Sequence, residues 1–219
     1  MKQQITLEAF LEECKRRNLT APAALKPDDR DYPVVVSAEF PEGRTNPPFF
    51  ADFELGVVWA PDQAPRKFVV RSNIGGSGAI ALATVEGKIV LIRQWRTALG
   101  RYTWEIPRGF SEKWESGCRT SKDTLPKGLQ TALREANEEI GGNCVTVIPH
   151  FLGEIAENSG TSVGSPAYWW LELNGFRADE TTPSLKLVSL DEAIQEVEDN
   201  HSCAGLILLQ RYQLKQKQR

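Results

Sequence analysis

Apolar positions recur along the chain with two periods, and each period marks its own elements. Over residues 5–17, Leu7, Phe10, Leu11 and Cys14 follow the i, i+3, i+4, i+7 spacing of a short amphipathic helix. From Ala21 to Gln63 the chain is rich in proline and aromatic residues, and PVVVSA at 33–38 predicts a strand within it. Four strand-like runs follow: KFVVRS (67–72), AIALATV (79–85), KIVLIRQW (88–95) and RYTWEIP (101–107), with IGGSG and EGK as turns. They predict several antiparallel strands in one sheet. The polar stretch GFSEKWESGCRTSKDT reads as an exposed loop, and the period then changes to that of a helix over 125–140. Leu129, Ala132, Leu133, Ala136 and Ile140 fall on one stripe of that helix, which packs it on a sheet. Asp123 or Thr124 can cap its start, Pro126 is tolerated in its first turn, and Gly141 supplies a left-handed C-terminal cap. NCVTVIPHFLGEI and AYWWLELN read as strands around the loop AENSGTSVGSP, and SLDEA begins two short helices with a basic tail. The order β-β-β-β-loop-α-β-β-α predicts a mixed α/β domain rather than regular βαβ alternation.

Composition narrows the class without naming a function. The chain has 219 residues, 41% of them hydrophobic and 25% charged, which fits one sizeable globular domain with an appendage. Its net charge of −3 offers no basic stripe for nucleic acid, so no nucleic-acid partner is expected. No run approaches the roughly 20 apolar residues that span a bilayer, and the start lacks an apolar signal region; no membrane association and a cytoplasmic location are expected. Cys14, Cys118, Cys144 and Cys203 form no CxxC pair, and His150 and His201 are the only histidines. That favours incidental thiols over a zinc site.

Candidate chemistry concentrates in REANEEIGG, residues 134–142. Glu135, Glu138 and Glu139 crowd the last turn of the expected helix, where the backbone dipole is negative and carboxylates are disfavoured. Like charges at i,i+3 and i,i+4 cost a few tenths of a kcal/mol per pair more. At 100° per residue the three acids flank one edge of the buried face, and an oxygen-only anionic site suits Mg²⁺ or Mn²⁺. A solvated acidic face is the plainer alternative.

With its flanks, REANEEIGG resembles the second half of the Nudix box, G-x5-E-x7-R-E-U-x-E-E-x-G-U, where U is bulky and apolar; Arg134, Glu135, Ala136, Glu138, Glu139 and Gly141 stand at the matching positions. Upstream, WEIPRGF (104–110) and QWR (94–96) are similar to segments of ADP-ribose pyrophosphatases, as is the C-terminal helix pattern. The resemblance covers roughly residues 67–215 and implies an α/β/α sandwich with a mixed sheet. It implies an N-terminal extension over 1–62 and a Nudix domain over 63–219. The implied activity is divalent-metal-dependent hydrolysis of a nucleoside diphosphate linked to another moiety, such as ADP-ribose. By the same resemblance Glu135, Glu139 and the Arg108 carbonyl are metal ligands, and Glu138 is a ligand or binds through water. Arg134 holds the glutamates, Arg96 meets the diphosphate, and Glu105 lies near substrate and metal. The N-terminal extension fits a homodimer.

The chain departs from the family in four places. Gly142 replaces the last bulky residue, and Ala136 is small for its position. Between Gly109 and Arg134 lie 24 residues where the box has 13, so Pro126 stands at the position of its first glutamate. Either Glu112 or Glu115 replaces that glutamate, Glu115 by its G-x5-E spacing, or the role is lost. The loop AENSGTSVGSP has no carboxylate in its second half, leaving Glu154 and Glu157 near its start; Glu157 is the expected general base, with Glu135 as the other candidate. Trp104, Trp169 and Trp170 can stack on a base or pack in the core. Phe49, Phe50, Phe53 and Trp59 can cover the sheet or form a dimer contact. Beside the hydrolase reading stands a second one, a nucleotide-binding or regulatory protein of the same fold with little turnover.

Overall fold

In the computed structural model, residues 7–17, 19, 34–40, 50–58, 64–73, 77–96, 99–111, 126, 128–141, 146–157, 162, 164–174 and 184–218 are described. They belong to two compact units. The first contains helix α1 (Leu7–Arg16) and strands β1 (Val34–Glu39), β2 (Phe50–Val58) and β3 (Arg66–Asn73). These strands form a three-stranded antiparallel sheet in the order β1-β2-β3. Phe10 and Cys14 of α1 are buried with Phe53 and Leu55, at two of the stripe positions expected from spacing. Phe10, Phe40 and Phe53 form a cluster with ring centroids 5.0 to 5.4 Å apart. The run 67–72, expected to share a sheet with the strands that follow it, pairs instead with β2 along its whole length. Strand β2 has the period-two pattern that finds such a partner, with Ala51, Phe53 and Leu55 buried.

The second unit holds a seven-stranded mixed sheet with helices on both faces. Its strands are β4 (Ala79–Val85), β5 (Lys88–Arg96), β6 (Arg101–Glu105), β7 (Arg108–Gly109), β8 (Thr146–Glu154), β9 (Ala167–Asn174) and β10 (Leu185–Val188). The main path runs β10-β5-β4-β9-β8, with β6 on β5 and β7 on β4. Only β4 and β9 run parallel among these pairings. Glu86 and Gly87, both at positive φ, close the β4–β5 hairpin, and a two-residue turn with two positive φ values matches the strand twist.

Strand β4 is buried along its entire length because both of its faces are covered. Ala79, Ala81 and Ala83 face helix α2 (Leu129–Ile140), which supplies Leu129, Ala132, Ala136 and Ile140. Ile80 and Leu82 face the opposite core, which includes Ala193 of α3 (Leu190–Glu196) and Leu206 and Leu209 of α4 (Asn200–Lys217). Alanine against alanine lets α2 approach the sheet closely. A Cβ at Gly128, the residue before α2, would fall 2.6 Å from the Ala167 methyl.

Three helix ends differ from the sequence expectation. Helix α2 begins at Leu129 rather than 125; Gly128, at φ 75°, precedes it with no side-chain cap, while Asp123 and Thr124 lie outside the described residues. Pro126 sits before the helix, its carbonyl accepting the Leu129 N–H at 3.0 Å. Gly141 has the positive φ expected of a cap, but its ψ of 120° is not that of the left-handed helical region. Helix α4 spans 18 residues rather than forming a short helix. Among the described residues, no helix is long and apolar enough to cross a membrane.

Candidate active site

Two backbone elements meet at the acidic end of α2. The first is the last turn of the helix itself, with no basic residue to offset its dipole. The second is the short strand β7, held against β4 by the pairs Ala79–Gly109 and Ile80–Arg108 and by the Ala81 N–H bond to the Pro107 carbonyl at 2.8 Å. In an antiparallel ladder a residue's N–H and C=O point to the same side. The Arg108 N–H donates to Glu139 Oε2 at 3.1 Å, so the Arg108 carbonyl faces the side of Glu139 as well.

Glu135 is the most enclosed of the three acids, only 7% exposed although spacing places it beside the buried face. Its carboxylate lies over Gly109: a Cβ built there would stand 1.7 Å from Glu135 Oε1. A side chain at 109 would therefore displace the Glu135 carboxylate, while the backbone angle there makes no demand for glycine, since its φ is not positive. Glu139 is half-buried and accepts a further bond from Gln94 Nε2 at 3.1 Å. Glu138 points outward, its side chain 54% exposed. Arg134 ties the group together, at 2.5 Å from Glu135 Oε1 and 2.8 Å from Glu138 Oε2, and it donates to the Phe110 carbonyl at 2.9 Å.

Beside this group lies a second charge network. Glu105, 1% exposed, receives Arg96 Nε at 2.6 Å and Arg96 Nη2, Thr103 Oγ1 at 2.5 Å, and Arg108 Nη2 at 3.0 Å. Burial pushes its carboxyl up, but the bonds from Arg96 and Thr103 and the charges of Arg108 and Arg96 outweigh it and hold the pKa below the ordinary range. Glu105 is thus a fixed anion that orients Arg96, whose own pKa the Glu105 bond raises.

Glu154 ends β8 in the second unit, whereas Glu157 belongs to the first. Ser162 Oγ donates to Glu157 Oε2 at 3.0 Å, and the Glu157 N–H donates to the Gly164 carbonyl at 3.0 Å. Glu112, Glu115, Phe49, Trp59, Cys118, Cys144 and Gly142 lie outside the described residues. Trp169 is buried in the core under α2, and Trp170 stacks on His150 at 4.5 Å while donating to Thr84 Oγ1. Trp104 packs against the core on the other face. All three tryptophans serve packing. Cys14 and Cys203 are free thiols.

Gln94, Thr103, Asp199 and Ser202 join these networks without having been singled out from sequence. Gln94 stands two residues before Arg96, on the same strand face. The only sequence signal for Asp199 was that of a helix cap, since it precedes α4.

Among the described residues, no three His, Cys, Asp or Glu side chains are already gathered as a metal cluster. A pair is. Burial pushes the Glu139 carboxyl up to about 7; the Arg108 N–H bond pulls it down, and the nearby charge of Glu135 pushes it up again. Glu139 with the neighbouring charge of Glu135, beside an outward-facing carbonyl, forms a donor set suited to a hard divalent cation. Glu138 is paired with Arg134 through Oε2.

This raised value has a measurable consequence in metal-free protein. A carboxyl at about 7 in the fold against 4.5 in its ordinary state stabilises the fold fully below about 4.5 and loses that contribution as pH rises through 7. Compared with Glu139→Gln, the metal-free wild type is expected to be nearly equal in stability at pH 4 and less stable at pH 8. The deficit is about 2 kcal/mol after allowance for partial exposure. Thermal melts at the two pH values check this, and a difference independent of pH contradicts it.

No protein-family model matches the sequence, and no curated protein matches it either. A solved structure does: a crystal structure described as an ADP compounds hydrolase superposes with a TM-score of 0.59 at 12% identity, over 87% of this chain and 98% of that one. The chain has a Nudix-like fold. At this identity the likeness speaks for the arrangement of sheet and helices. The Nudix-like frame, an α/β/α sandwich with a mixed sheet, is the one expected from sequence.

Proposed function

We propose that the protein hydrolyses the pyrophosphate linkage of ADP-ribose or a related nucleoside diphosphate sugar, giving a nucleoside monophosphate and a sugar phosphate. The observation that carries this reading is the meeting of Glu135, Glu139 and the Arg108 main chain over Gly109. The name of the structural neighbour, a hydrolase of ADP compounds, supports the same substrate class. Glu135, Glu139 and the Arg108 carbonyl would hold Mg²⁺ or Mn²⁺, with Glu138 joining directly or through water. The ion would supply charge neutralisation at the diphosphate and activation of the attacking water. Arg134 keeps Glu135 and Glu138 in place through its paired contacts. Arg96 is gripped by Glu105 through Nε and Nη2, which fixes the direction in which its guanidinium meets a diphosphate oxygen. Such pre-set donors act on developing charge without reorganising. Of the two candidates for general base, Glu135 is the one that lies in the same unit as the rest of the site; Glu157 belongs to the first unit. A cytoplasmic location is part of the same proposal, in keeping with the free thiols Cys14 and Cys203.

The experiment is product analysis on a panel of dinucleoside and sugar diphosphates with Mg²⁺ or Mn²⁺. Cleavage of ADP-ribose to AMP and ribose 5-phosphate is expected. A protein that binds Mg²⁺ yet cleaves no member of the panel would falsify the reading and favour a nucleotide-binding regulator.

A further inference from the structure

The segment that carries the Arg108 carbonyl is fastened from its other side by the junction between α3 and α4. Trp104 forms an isolated parallel bridge with Val197. The Ile106 N–H donates to Ser202 Oγ at 2.9 Å, and Arg108 Nη1 donates to Asp199 Oδ1 at 2.5 Å. Alternate residues of 104–108 thus meet 197–202. The first two contacts hold the backbone path; the third reaches the residue whose main chain faces Glu139.

Asp199 also caps α4, its Oδ1 accepting the N–H groups of His201 at 3.0 Å and Ser202 at 3.1 Å. Capping alone does not require a charge, because asparagine and serine cap equally well. The charge carries a cost here, since Asp199 Oδ2 is buried with no hydrogen-bond partner among the described residues. What the charge adds is the ion pair with Arg108, whose Nη2 reaches on to Glu105 at 3.0 Å. The Arg108 side chain is therefore anchored between Asp199 and Glu105, and its N–H meets Glu139.

We propose that Asp199 is a positioning residue for the metal site, acting through Arg108 to hold the main chain of 108–109 against Glu135 and Glu139. It rests on the metal-binding role given to those groups above. Outer partners of this kind typically change metal affinity about 10-fold to 100-fold when replaced.

The test is Mn²⁺ titration of the full chain by calorimetry, without nucleotide, beside thermal melts. Asp199→Asn keeps the cap and removes the charge. It is expected to bind Mn²⁺ about tenfold more weakly with a melting temperature close to that of the wild type. Arg108→Gln is expected to show a similar loss, and the double variant no larger one. Ser189→Ala, which removes the capping box of α3, is the control: lower melting temperature, unchanged Mn²⁺ affinity. If Asp199→Asn melts below that control, Asp199→Ser takes its place in the same comparison. An affinity within about twofold of the wild type, or losses that add in the double variant, overturns the proposal. A wild type that binds no Mn²⁺ overturns the metal reading itself, so the two failures are distinct.

Discussion

Gly109→Ala is expected to lower turnover about a hundredfold or more while leaving the protein folded. The added methyl would stand 1.7 Å from Glu135 Oε1 and 2.0 Å from its carboxyl carbon, far inside contact distance. Those atoms are the far end of a side chain, so the relief is rotation of Glu135 rather than collapse of the strand. The backbone angle at 109 is not in the positive region, so alanine adds no torsional strain, and it reduces the freedom of the unfolded chain. What is lost is placement. Displacing a reacting or ligating group by about 1 Å is enough to cost about 10²-fold in rate. Steady-state kinetics and a melting curve on the same preparation separate the two effects. Unchanged turnover would mean that the Glu135 carboxylate has no part in the chemistry.

Glu139→Gln is expected to lower turnover by about 10³-fold, roughly 4 kcal/mol at the transition state. The replacement is nearly isosteric. Its amide oxygen can accept the Arg108 N–H, and Gln94 need only turn its own amide to offer oxygen to the new NH₂ group. The negative charge is the main thing removed. Because that charge is disfavoured by burial and by Glu135, its removal stabilises metal-free protein above pH 7. Lower activity with higher stability is the pattern of a residue retained for chemistry. A variant that loses both would place Glu139 among structural residues instead.

Much of the frame was legible because burial follows period. The stripe of α2 fixed which residues enter the core, and Leu129, Ala132, Ala136 and Ile140 are all there. Strand β2 was harder to read because its surroundings are rich in proline and aromatics, although Ala51, Phe53 and Leu55 carry the alternation. Strand β10 is too short, at four residues, for a period to register. Spacing on a helix gives the direction of a side chain but not what covers it. Glu135 was therefore placed at the rim of the core, and its contact with Gly109 emerged only once β7 was laid against β4. The same holds for Arg108 and Asp199, 91 positions apart in the chain and joined in space. The sheet to which the 66–73 segment belongs was likewise decided by a partner, since β-type sequence alone does not say which edge a strand joins.

The most direct test is the rate at which the wild type releases AMP from ADP-ribose, measured with Mg²⁺ and again after chelation. A metal-dependent rate that falls about 10³-fold in Glu139→Gln is the predicted result. A rate indifferent to both the metal and the substitution would contradict the assignment of this site.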